Sequence, residues 1–121
     1  MEERRRFVRL DTRLPLTYKV LPSAQPLQSF TKDIGGGGVC LFVSEPVKSG
    51  TQLEVVIKLP DRERSIVFTG EVVWCEPYEM IGKTRRERAI EAGIRFLQVA
   101  PQDQEAILRH VILNLQPHHP A

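Results

Sequence analysis

Histidine, cysteine and aromatic side chains are scarce in this chain, and each shortage closes off a class of function. Of the three histidines, two are the neighbouring His118 and His119 close to the C-terminal end. Adjacent side chains on a frayed end are poorly preorganised as metal ligands, so no metal is expected there. The third, His110, falls in a helical pattern and reads as a surface or boundary residue. No Gly-x-Ser-x-Gly, HExxH or paired-carboxylate motif occurs, and Ser23, Ser29, Ser44, Ser49 and Ser65 have no evident base. No enzyme and no cofactor are therefore expected. The two cysteines, Cys40 and Cys75, lie in apolar runs without a CxxC, and read as small, reduced core residues.

Long apolar runs are also missing. Nothing approaches the ~20 residues of a membrane span, and Met1-Glu-Glu-Arg-Arg-Arg6 is not followed by the apolar stretch of a signal peptide. A cytoplasmic protein without membrane insertion is expected. The net charge of +2 is too small for bulk affinity to a nucleic-acid polymer. With aromatics at 7%, an oligonucleotide-binding barrel would lack stacking platforms, because Phe68, Trp74 and Phe96 fall on apparent core faces.

What is present is strand. Leu14, Leu16, Tyr18 and Val20 alternate with polar residues. Residues 27–34 are a weaker second strand, and Val39–Val43 a compact third. Leu53, Val55, Ile57 and Leu59 give the clearest alternation, the period of a half-buried strand. Ile66, Phe68, Gly70, Val72 and Trp74 would share one face of a long strand, with Gly70 marking a bend or close packing. Residues 76–88 are polar and read as a variable loop. Ala89–Leu97 is the last strand. Pro101 suits a helix start, and Ile107, Leu108, Val111, Ile112 and Leu115 keep helical spacing up to Pro117. The sum is an all-β, six-stranded antiparallel barrel with a C-terminal α-helix. An arginine-rich binding loop occupies residues 1–13, the barrel and helix 14–116, and a disordered tail 117–121.

Two stretches carry binding chemistry. Arg4, Arg5, Arg6 and Arg9 surround Phe7 and Val8 in an ordered or ligand-ordered loop. A guanidinium fork pairs with phosphate oxygens and also matches the O6/N7 edge of guanine. The second stretch is Asp33-Ile34-Gly35-Gly36-Gly37-Gly38, a turn between two apolar runs. Asp33 offers acceptors to the N1–H and N2–H donors of guanine, and glycine lets a flat group approach the backbone.

These residues resemble the motifs of the PilZ domain family, bacterial receptors for cyclic di-GMP. Arg5-Arg6-Phe7-Val8-Arg9 matches RxxxR before the first strand. Asp33 to Gly38 matches [D/N]xSxxG, except that Gly35 stands at the serine position. Gly93-Ile94-Arg95-Phe96-Leu97 is similar to the family's last strand. The resemblance implies a PilZ-like split barrel with cyclic di-GMP on its outside, contacted by Arg4, Arg5, Arg9, Asp33, Gly35, Gly36 and Gly38. Arg4, just before the motif, implies a stacked pair of ligands, and the chain would be a monomer or a ligand-dependent dimer. Output would pass to an effector protein. Loss of a serine hydrogen bond worth ~0.5–1.5 kcal/mol would weaken binding by up to roughly tenfold. Ordering a glycine loop would add a cost of about 1 kcal/mol per residue. Binding weakened but not abolished is the expectation. The alternative is a degenerate adaptor that no longer binds the nucleotide and acts by protein contact in pilus or motility systems.

Overall fold

The computed structural model describes residues 8–81 and 86–115, with backbone pairing alone for the strand residues from 78 to 88. Its elements are β1 (Arg9–Asp11), β2 (Pro15–Val20), β3 (Leu27–Gly35), β4 (Gly38–Val43), β5 (Gln52–Ile57), β6 (Ile66–Ile81), β7 (Arg86–Val99) and α1 (Pro101–Leu115). The strands run in the order β1-β3-β2-β5-β6-β7-β4, and pairing of β3 with β4 closes six of them into an antiparallel barrel. The extra strand, β1, lies outside the closure on β3.

Alternation makes the wall. Leu53, Val55 and Ile57 of β5 are fully buried, as are Val39 and Leu41 of β4, and they meet Leu16, Ile34, Phe68 and Ile94 in one core. Such strands must keep one face in the core, because a slip of one residue would turn that whole set to water. The segment expected as an ordered or ligand-ordered loop over residues 1–13 ends inside the sheet, as strand β1. Leu10 sits opposite Ile34 and packs into the core cluster, which anchors β1.

Three expectations change. Residues 76–88 are not a loop: β6 runs to Ile81 and β7 starts at Arg86, paired from Ile81↔Arg86 onward. Neighbouring β5 stops opposite Glu71, and β4 stops opposite Ile90. Beyond those points the two strands continue as a ribbon, with no third strand paired to them among the described residues. A pair of strands that runs on past the barrel wall need not alternate in sequence, so no period marks it. Pro77, which cannot donate to a ladder, is accommodated there because β5 has already ended.

Secondly, a register shift between Val72 and Trp74 inserts Val73 as an extra residue. The bulge turns Trp74 out of the core, where it is 39% exposed, although Phe68 and Phe96 still meet edge to face at 4.6 Å. A second shift falls at Thr69/Gly70, where Ile94 occupies the space of a side chain at Gly70.

Thirdly, α1 is rotated from the expected stripe. Its buried residues are Asp103, Ile107, His110 and Val111, whereas Ile112, Leu113 and Leu115 are exposed. Burial of Asp103 is offset by nearby charge, although its Oδ1 makes no hydrogen bond, and that of His110 by a side-chain neighbour. Asp103 lies 3.7 Å from Arg62 and 3.8 Å from Arg64 in the β5–β6 connection, and the His110 ring lies against Asn114. His110 is thus a buried residue, not a surface one. No helix among the described residues is long and apolar enough to cross a membrane.

Candidate functional site

Beside the closure of the barrel, β1 lies on the second half of β3. The register sets Arg9 opposite Gly35 and Asp11 opposite Asp33. The Thr12 amide donates to the Lys32 carbonyl at 3.2 Å. In an antiparallel ladder wide and narrow pairs alternate, so Arg9 and Gly35 form a pair that exchanges no backbone hydrogen bond and lies closer together. The Arg9 side chain runs along the sheet to Asp33. Its Nε donates to Asp33 Oδ1 at 2.8 Å, and its Nη2 bonds the same oxygen. Both side chains are about four-fifths covered, with 22% and 19% of their surface exposed. Charge-assisted bonds of this kind are stronger than neutral ones and fix the direction of the guanidinium.

The glycine turn that follows is held at both of its middle residues. The Gly36 carbonyl accepts from Gln104 Nε2 of α1 at 3.0 Å. The Gly37 carbonyl accepts from the Phe96 amide of β7 at 3.1 Å. The expected cost of ordering a loose loop therefore does not arise at these carbonyls. At Gly38 a Cβ would stand 2.1 Å from the Ile94 carbonyl oxygen. The close approach served by Gly38 is that of β7 to β4.

Further residues on this outer face come from strand register. Asp33 is opposite Cys40, Cys40 opposite Gly93, and Gly93 opposite Trp74. The indole rests on Gly93, where a Cβ would be 2.3 Å from Trp74 Nε1. Cys40 is buried, but on the face opposite to Val39 and Leu41 of the core, and its Sγ lies 3.7 Å from Glu91 Oε1. Burial, reinforced by the Asp33 and Glu91 carboxylates and opposed by Lys32, pushes its thiol up to about 12. Glu91 pairs with Lys32 Nζ at 3.1 Å. Glu71 accepts from Arg95 Nε at 2.7 Å. The outer face thus carries three arginine– or lysine–carboxylate pairs around a floor of glycine and cysteine.

Of the residues predicted from sequence, Arg9, Asp33, Gly35 and Gly36 come together here, and Gly38 adjoins them at the start of β4. Arg4 and Arg5 lie outside the described residues. Trp74, Gly93 and Arg95 were missed as members of this face. The sequence showed Gly93 and Arg95 on the last strand, but only register brings them opposite Cys40 and Gly38. Among the described residues no group of three or more His, Cys, Asp or Glu could hold a metal ion.

A six-stranded closed barrel whose outer wall carries an arginine–aspartate pair beside a glycine turn defines a recognisable class of small domain. The PilZ domain family model matches residues 3–113, and the chain belongs to that family. Similar solved structures include the PilZ domain of YcgR from Escherichia coli with cyclic di-GMP. That match has TM-score 0.76 at 15% identity, covering 92% of this chain and 91% of that one. The Bacillus subtilis inhibitor of motility MotI aligns with TM-score 0.72 at 23% identity over 96% of this chain and 55% of that one. The K. pneumonia MrkH complex with cyclic di-GMP aligns with TM-score 0.72 at 18% identity, over 94% of this chain and 52% of that one. The chain thus spans about half the length of MotI and of MrkH. Comparison with curated proteins finds no match.

Proposed function

We propose that this protein is a non-enzymatic cytoplasmic receptor for cyclic di-GMP, bound on the outer face between β1 and the β3–β4 turn. The observation that carries this reading is the meeting of Arg9 with Asp33: the last arginine of RxxxR touches the first residue of the second motif. Arg9 and Arg5 supply forks for phosphate and guanine, and Asp33 supplies acceptors for a guanine edge. Arg4 favours a stacked pair of ligands. Binding orders the arginine segment against the barrel, and the changed surface signals to an effector protein. The family likeness and the cyclic di-GMP held by YcgR and MrkH support the ligand class. The degenerate-adaptor alternative rests on Gly35 standing in place of the motif serine; the bonds at Gly36 and Gly37 remove only the separate objection that the glycine turn is loose.

Isothermal titration with cyclic di-GMP tests the reading. Heat is expected from the unaltered protein, with affinity lowered about 30-fold or more by Arg9→Ala, since truncating one member of a paired charge costs about 2–5 kcal/mol. Arg5→Ala should weaken binding as well. An absence of heat from the unaltered protein at tens of micromolar would sink the proposal.

A further inference from the structure

Gly35 departs from its family motif, and its surroundings give the departure a purpose. A Cβ at this position would stand 2.8 Å from the Val8 carbonyl oxygen, 3.3 Å from Arg9 Cγ and 3.6 Å from Arg9 Cα. The first distance is shorter than real Cβ contacts allow, and it involves backbone. The second shows that the aliphatic stem of Arg9 passes directly over Gly35 on its way to Asp33. Nor can β1 easily retreat. It is held on one side of the clash by Leu10 in the core, and beyond that by the Thr12 amide on the Lys32 carbonyl.

We propose that Gly35 is a positioning residue: its missing side chain is the track along which Arg9 reaches Asp33, and it sets where the guanidinium meets the ligand. The proposal rests on the reading of this face as a cyclic di-GMP site, and it reverses the motif-based expectation for this position. A serine here would supply a hydroxyl at the cost of lifting β1 from β3. Restoring the family residue therefore weakens the receptor instead of repairing it.

Two variants, Gly35→Ala and Gly35→Ser, test this with two readouts. The first needs no ligand. In amide hydrogen exchange the Thr12 amide should lose protection in both variants, while the Val72 amide, bonded to the Thr51 carbonyl in the barrel wall, keeps it. The second is titration with cyclic di-GMP. Both variants should bind about tenfold or more weaker, the hydroxyl giving no rescue over alanine. In an Arg9→Ala background Gly35→Ser should have little further effect, because the two changes remove one interaction. A purely structural role would instead give additive losses. The proposal is overturned if Gly35→Ser keeps Thr12 protection, if it binds as tightly as the parent, or if the double variant is additive. Should the unaltered protein give no heat, the receptor reading falls, and the exchange of Thr12 alone still decides whether Gly35 seats Arg9.

Discussion

Asp33 is in ionic contact with Arg9, so on the proposed reading the free protein already holds part of its binding geometry. Preorganisation lowers the ordering cost of binding, but a ligand must share or displace the Arg9 contact. Asp33→Asn keeps the shape and removes the charge from that contact. It should weaken cyclic di-GMP binding by about tenfold and speed exchange at the Thr12 amide, both readable on one sample. Cys40 offers a second check at this scale. Its thiol is raised from an ordinary 9.0 to about 12, first by burial. The neutral thiol is therefore favoured in the fold. The stability this adds is complete below pH 9 and is lost as pH rises through about 12. Iodoacetamide at pH 8 should modify the half-buried Cys75 and spare Cys40, as peptide mass spectrometry would show. Rapid labelling of Cys40 in the folded protein would contradict its burial.

Among the elements, the β4–β7 pair is the tightest joint next to the site. A methyl at Gly38 would meet the Ile94 carbonyl oxygen at 2.1 Å, backbone against which neither strand has slack. Gly38→Ala should cost about 1–3 kcal/mol in urea unfolding, the ordinary range for overpacking. A fall in cyclic di-GMP affinity with no change in the unfolding midpoint would assign Gly38 to the ligand instead. This scale also shows what alternation could convey. β5 was legible because each inward residue is buried, whereas the extension of β6 and β7 past the ends of β5 and β4 was not, since it lies beyond the alternating barrel wall. A bulge is likewise silent in sequence: Val73 resembles any other strand valine, yet by being the extra residue it moves Trp74 to the outside.

For the molecule as a whole, the barrel and helix follow from period and turn residues, and two motifs in order point to the candidate site. What escaped was everything that depends on pairing partners. The buried face of α1 includes Asp103 because Arg62 and Arg64 lie beside it. The glycine turn is tied because Gln104 and Phe96 reach its carbonyls. The glycine at position 35 looked like a defect because the strand it accommodates is distant in sequence.

Trp74 has one more consequence. It is the sole tryptophan of the chain, and it sits on Gly93 on the outer wall, partly open to water. The protein therefore carries a single optical reporter placed on the face in question. Its emission should already be that of a partly hydrated indole in the folded state, and filling the outer face should shift it without any loss of barrel circular dichroism. Occupation of the wall and unfolding of the barrel can thus be followed as separate signals in one cuvette, without attaching a dye.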